Sequence, residues 1–239
     1  MKGITSGSIV FLMGLLVTVN TTAAQTEETT SVSRASREYT FLVGYGITMQ
    51  GFGETETQVQ VVDAIGRFGY FLSDEIGKGW YQGRHELLIE LPIHLAVDPQ
   101  TRVMTGFYLL GSWKFTGLKE KHLYPYLFAG GGILFVDLGL ATMGSRLNFS
   151  YQGGTGIQYL IRKNLAVMAE YRYLHISNAG TAQPNEPLNF SHILFGISFF
   201  TDRGAPHLMR WKKGTPEIGE IGDADSYSAS SLIISRSFL

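Results

Sequence analysis

From residue 38 to residue 200 the sequence repeats every two residues, and the 3.6-residue period of an amphipathic helix is nearly absent. Eight segments carry the alternation, at about 38–48, 58–72, 81–96, 102–115, 123–137, 145–161, 164–177 and 189–200, with clusters of Gly, Asn, Asp and Lys between them. Residues two apart share one face of a strand, so each segment predicts one apolar and one polar face. In the third, His85, Leu87, Ile89, Leu91, Ile93 and Leu95 oppose Gln82, Arg84, Glu86, Glu90 and His94. The sixth sets Leu147, Phe149, Tyr151, Ile157 and Tyr159 against Arg146, Asn148, Ser150, Gln152 and Gln158. The first sets Tyr39, Phe41, Val43, Tyr45 and Ile47 against Thr40, Gly44, Gly46 and Thr48. The fourth and fifth segments alternate poorly. The run Gly130-Gly131-Gly132 lacks the Lys of a phosphate loop and is expected to relieve bending or crowding in the sheet.

Alternation alone does not say whether the apolar faces meet a core or a lipid bilayer. The N-terminus bears on that choice. Lys2 precedes an apolar run from Ile9 to Val19 and the small-residue stretch Thr21-Thr22-Ala23-Ala24, the order of a secretory signal cleaved near Ala24–Gln25. The run is shorter than the roughly 20 apolar residues of a spanning helix, and no longer one follows, so any membrane span must be made of strands. An even strand count, with Tyr and Phe crowding the ends of the apolar faces, fits a lipid-facing wall with aromatic girdles. The expected fold is all-β, an eight-stranded antiparallel transmembrane β-barrel of the bacterial outer membrane. Its expected divisions are a signal peptide (1–24), a flexible leader (25–37), the barrel (38–200) and a periplasmic C-terminal extension (201–239). With both termini on the periplasmic side, external connections should be long and periplasmic ones short, which the 97–101 connection breaks. The chain has no Cys and a net charge of −1, which excludes disulfides and thiolate chemistry and offers no field for nucleic acid.

The seventh segment ends in Tyr173-Leu174-His175-Ile176-Ser177-Asn178-Ala179-Gly180. His175 and Ser177 share a face, about 7 Å apart along the strand, so an imidazole is placed to reach a hydroxyl, as a general base reaches a nucleophile. Glu170 and Arg172 lie on the opposite face. Burying that pair in lipid is costly, so they are expected inside the barrel, with His175 and Ser177 on the lipid side. Asp63, Arg67, Arg84, Glu86 and Glu90 are expected to join Glu170 and Arg172 in an interior polar network. An internal catalytic carboxylate pair is the alternative use of them. His85, His94 and His192 show no metal-ligand spacing, and no metal or cofactor is expected.

The His-x-Ser-Asn-Ala-Gly run at 175–180, Pro184-Asn185, Arg67-Phe-Gly-Tyr and Gly79-Trp-Tyr-Gln-Gly-Arg84 resemble the lipid A 3-O-deacylase (PagL-type) acyloxyacyl hydrolases, over about 38–200. The resemblance implies an outer-membrane esterase that cleaves the 3-O-linked acyl chain of lipid A in the outer leaflet. It implies Ser177 as nucleophile, His175 as base, Asn178 as an oxyanion-stabilising residue, and Tyr173 and Gly180 as substrate-binding residues. Characterised members place a Glu twelve residues after the serine, where this chain has Asn189. The third triad member is therefore Asn189, which has the outward parity of Ile193 and Phe195, or Glu186 on the preceding loop. Parity favours Asn189. On this reading Asn189→Glu should preserve or raise activity. Two other functions stay open: a catalytically silent outer-membrane barrel, and a soluble secreted lipid-binding barrel with its apolar faces inside. A homodimer is a further expectation.

The repeated apolar, aromatic-rimmed face predicts that folded protein is recovered only with detergent or a bilayer. Size-exclusion chromatography and far-ultraviolet circular dichroism, with and without detergent, check this. A monodisperse, strand-rich species in plain buffer is the contrary result.

Overall fold

A computed structural model describes residues 31–202. The expected signal segment, the leader up to residue 30 and the C-terminal extension from residue 203 lie outside the described residues. Eight strands form a closed barrel: β1 (Arg37–Thr48), β2 (Gln60–Phe71), β3 (Gly83–Asp98), β4 (Arg102–Phe115), β5 (Leu123–Val136), β6 (Leu147–Arg162), β7 (Leu165–Ser177) and β8 (Leu188–Thr201). Each boundary lies within two residues of the predicted one. Every strand pairs antiparallel with the next, and β8 closes on β1 from Arg37↔Thr201 to Thr48↔Phe190. Closure pairs both edges of the sheet and leaves no open backbone ladder facing lipid.

The faces sort as parity requires. Phe41, Leu91, Leu147, Ile193 and Phe195 point outward, each more than half exposed, while Glu38, Asp63, Glu90, Glu170 and Arg172 are buried inside. An exposed apolar wall around a polar interior inverts a soluble lipid-binding barrel, so that alternative is set aside. The weak alternation of β4 and β5 has a packing cause: their inner faces carry Met104, Tyr108, Leu110, Tyr126, Phe128 and Leu134, all buried. Gly130 and Gly132 let β5 lie against β4 closely. A Cβ at either would fall within 2.3 Å of the carbonyl oxygen of Leu109 or Phe107.

The interior is held by charge-assisted hydrogen bonds. Arg67 donates to Glu90 (2.6 Å) and Glu170 (2.5 Å), and Arg172 donates to the same two carboxylates at 2.7 and 2.6 Å. The Tyr126 hydroxyl adds a third donor to Glu170 at 2.6 Å. Nearer the chain ends, Lys114 pairs with Glu38 and Glu86. Besides Glu86, two more members of the expected network stand outside the Arg67–Arg172 cluster. Arg84 donates to the carbonyls of Val32, Ala35 and Ser73, and Asp63 meets two histidines.

The Arg84 bonds anchor a short helix, α1 (Ser31–Arg34), where a flexible leader was expected. Val32 and Ala35 are buried there with Phe71, Tyr124, Leu160 and Phe200, closing the barrel end that carries β1's start and β8's finish. At this rim the connections are 72–82, 116–122 and 163–164; at the opposite rim they are 49–59, 99–101, 137–146 and 178–187. Segment 72–82 is as long as 49–59, so the expected length asymmetry fails there as well as at 99–101. Arg146, expected on the inner face of β6, precedes that strand and pairs at the rim with Asp137 (3.5 Å).

Removing one cation from a buried cluster strands its carboxylates. Arg172→Met is expected to destabilise the barrel by about 3–5 kcal/mol, which urea unfolding in lipid vesicles measures.

Candidate active site

His175 and Ser177 end β7 on its outer face, and both are partly buried. Register with β8 sets His175 opposite Asn189, while register with β6 sets it opposite Tyr151. The three predicted residues form a continuous relay. Ser177 Oγ lies 3.1 Å from His175 Nε2, and His175 Nδ1 lies 2.8 Å from Asn189 Oδ1. Tyr173 belongs to it as well, its hydroxyl donating to Asn189 Oδ1 at 2.6 Å.

The amide orientation, and with it the histidine tautomer, follows from the far side of Asn189. Its Nδ2 donates to the carbonyls of Phe52 and Gly53, each at 3.1 Å, and to Thr55 Oγ1 at 2.8 Å. Carbonyl oxygens only accept, so Nδ2 must face them and Oδ1 must face the imidazole. His175 therefore donates through Nδ1–H, and its Nε2 lone pair is left to accept the Ser177 hydroxyl proton. The Thr55 hydroxyl is saturated, accepting from the Asn189 backbone N–H and from Nδ2 while donating to the Pro187 carbonyl.

This arrangement predicts the opposite of the expectation for Asn189→Glu. A carboxylate at 189 has no donor for the Phe52 and Gly53 carbonyls and would face them with negative charge.

Glu186, the other candidate third member, is turned away from the imidazole. Its carboxylate accepts from the backbone N–H of Glu56 (2.9 Å) and Thr57 (2.6 Å) and from the Thr57 hydroxyl (2.8 Å). Partial burial raises the Glu186 pKa, but donors from Thr142, Thr57 and Glu56 outweigh that and hold it below the ordinary carboxylate range. The bond set is thus complete above the usual glutamate pKa of about 4.3 and is lost only as pH falls through the depressed value. Its place is a latch between the 49–59 and 178–187 loops.

Asn178 is likewise taken up by its own loop. Its Nδ2 donates to the carbonyls of Ala182 (3.0 Å) and Pro184 (3.4 Å), its Oδ1 accepts from Gly180 N–H, and its backbone N–H donates to Asn185. The expected oxyanion role of Asn178 is not what this conformation offers, because its donors already have acceptors. Gly180, at φ +76°, occupies the left-handed region that this tight turn needs.

Sequence reasoning missed Tyr151, Phe52 and Thr55. The Tyr151 ring stacks on His175, with centroids 4.3 Å apart and planes 16° from parallel, and Phe52 packs edge-on against Tyr173. Strand parity puts Tyr151 on the outer wall, but only the β6–β7 register puts it beside His175.

A model of the lipid A 3-O-deacylase (PagL) family matches residues 69–198, more than half of the chain. Among solved structures, the outer membrane enzyme PagL is similar at 18% identity, covering 66% of this chain and 97% of that one with a TM-score of 0.48. Neisserial surface protein A is similar at 15% identity, covering 70% and 98%, with a TM-score of 0.52. The outer membrane protein OprG from Pseudomonas aeruginosa is similar at 10% identity, covering 73% and 100%, with a TM-score of 0.40. No curated protein matches the chain. The likeness to Neisserial surface protein A supports the closed barrel, and none of these likenesses supports the expected homodimer.

The donors at Asn189 predict that Asn189→Asp and Asn189→Glu both lower kcat/KM for an ester substrate, by roughly 10- to 100-fold, because the part-buried Phe52 and Gly53 carbonyls lose their donor and the imidazole its fixed partner. Glu186→Gln keeps one acceptor and should cost less than about 10-fold. Steady-state hydrolysis by detergent-solubilised variants checks the order; activity in Asn189→Glu at or above the parent's refutes it.

Proposed function

The chain belongs to the lipid A 3-O-deacylase (PagL) family, and on that premise we propose that this outer-membrane barrel hydrolyses the 3-O-linked acyl ester of lipid A with Ser177 as nucleophile. The observation that carries the reading is the relay Ser177–His175–Asn189 on the lipid-facing wall, with the imidazole tautomer set by the neighbouring loop. His175 Nε2 takes the hydroxyl proton as Ser177 Oγ attacks the ester carbonyl carbon. The tetrahedral intermediate then collapses, the 3-hydroxyl of the sugar leaves with the proton from Nε2, and an acyl-serine remains. Water, deprotonated by the same nitrogen, attacks the acyl-serine and releases the fatty acid.

Asn189 orients the base but brings no charge to stabilise the imidazolium. The Tyr151 ring, stacked on His175, presents π density to that cation and supplies part of the missing stabilisation, on the order of 0.5–1 kcal/mol. A groove of about 800 Å³ on the outer wall also supports an acyl substrate. It is lined by Val43, Tyr45, Ala64, Ile93, Ile193 and Phe195, and it begins at Ser191, the β8 partner of Tyr173. An acyl chain leaving Ser177 toward the membrane interior runs past Tyr173 into this groove.

The barrel takes its orientation from the substrate. His175 and Ser177 lie at the rim opposite α1, so the outer leaflet is at that rim and the rim where β1 starts and β8 ends is periplasmic. An export signal at residues 1–24, cleaved near Ala24, belongs to the same reading.

Expression in a host lacking such an activity, followed by mass spectrometry of its lipid A, tests the proposal. Parent protein is expected to remove one ester-linked acyl chain from the 3-position, and Ser177→Ala to reduce this by at least about 1,000-fold while heat-modifiable migration stays unchanged. Intact lipid A with the parent protein makes the catalytically silent barrel the correct reading.

A further inference from the structure

Three buried side chains that the proposed reaction does not use meet inside the barrel. Asp63 of β2, His94 of β3 and His192 of β8 come together although 31 and 98 residues separate successive members. One Asp63 oxygen lies 2.7 Å from His94 Nδ1 and the other 2.6 Å from His192 Nδ1. All three side chains are at most 1% exposed, and the two imidazole rings stand 5.7 Å apart. A carboxylate only accepts, so in this arrangement both rings donate through Nδ1–H, and each neutral ring then carries its lone pair on Nε2. His94 Nε2 is served by the Tyr108 hydroxyl at 3.0 Å. His192 Nε2 is buried with no hydrogen-bond partner among the described residues, so the cluster is short of one partner.

The wall is shaped to receive these rings. Gly46 on β1 lies directly against His192, and a Cβ there would fall 2.3 Å from Nδ1 and 2.9 Å from Val61. His94 is four residues from the end of β3 and His192 four from the start of β8, so the cluster sits about 13 Å along the strands from the rim that carries Ser177. Beside His192 in the sheet, its β7 partner Arg172 belongs to the neighbouring ionic cluster.

We propose that Asp63, His94 and His192 form a binding site for a divalent transition metal ion of the zinc type. Two imidazoles and one carboxylate are donors that suit late first-row ions, whereas calcium and magnesium take all-oxygen shells. One ligand atom from each residue lies within 4.8 Å of the others. Around a tetrahedral ion with bonds of about 2.1 Å the ligands stand about 3.5 Å apart, so the Asp63 contacts open by about 1 Å while ligand atoms now up to 4.8 Å apart close in. The ion takes one nitrogen from each ring and an Asp63 oxygen. On His94 the ring proton then sits on Nε2 and points at the Tyr108 oxygen, the arrangement that fixes tautomer and ring plane behind a ligating histidine. This site stands apart from Ser177 and does not depend on the esterase reading.

The test is calorimetric titration of untagged, full-length protein, refolded in detergent and treated with chelator, with ZnCl2. One ion per barrel is expected, with Kd below about 1 μM, as is a visible ligand-field spectrum of low coordination number with Co²⁺. His192→Ala and Asp63→Asn should each weaken binding by on the order of 100-fold, while His175→Ala and His85→Ala leave the stoichiometry at one. Asp63→Asn keeps an acceptor and nearly the same volume, which provides a folded comparison if His192→Ala does not refold. Absence of saturable binding by the folded parent protein overturns the proposal. So does unchanged binding in folded Asp63→Asn, or loss of the ion in His175→Ala.

Discussion

Closure of the sheet is the constraint on which everything else in this molecule depends. Lipid offers no hydrogen bonds, so each strand's backbone groups must be paired on both sides, and β8 meeting β1 completes that pairing. Once the wall is closed, parity leaves each side chain two destinations. Phe41, Leu91 and Phe195 go to lipid and Glu90, Glu170 and Arg172 to the lumen. A lumen this narrow is filled by side chains, so its charges must neutralise one another within it.

The same parity sets the chemistry on the outside. His175 and Ser177 face lipid because Arg172 and Glu170, of opposite parity, cannot, which is what the proposed attack on an ester held in the membrane requires. What holds the imidazole is the 49–59 loop. It folds over the rim so that the carbonyls of Phe52 and Gly53 claim the Asn189 amide donors and leave its oxygen for His175. Glu186 ties that loop to the 178–187 loop through Glu56 and Thr57. Asn189, which accepts from His175, therefore also fastens the loop, and an acid at that position meets two carbonyl oxygens.

Inside the barrel the polar groups form separate clusters. Lys114 with Glu38 and Glu86 lies toward α1, the Arg67–Arg172–Glu90–Glu170 cluster lies in the middle, and Asp63 with His94 and His192 lies toward the rim that carries Ser177. Aromatic side chains pack beside the cations: Phe128 under Arg67 and Arg172, and Phe71 under Lys114 and Arg84. The apolar inner faces of β4 and β5 include one of these rings, Phe128. They are also why those two strands read weakly as alternating segments.

Strand number, strand boundaries and the face on which each residue lies were legible in the sequence, because the side-chain period of a strand is two and needs no partner to be read. Ser177, His175 and the parity of Asn189 followed from it, with the family motif adding their roles. Register was not legible. Which residues stand opposite one another depends on how eight strands slide before they close, so Tyr151 beside His175 and Asp63 between His94 and His192 came only with the barrel. Loop contacts were hidden for the same reason. Parity favoured Asn189 but left Glu186 open as the partner of the imidazole, and Asn178 looked free to stabilise an oxyanion. Folding the loops gave the Glu186 carboxylate and the Asn178 donors other partners. The sequence by itself determined what each side chain faces; the tertiary structure decided what it touches, because contact across a sheet is set by closure and local order along the chain carries no record of it.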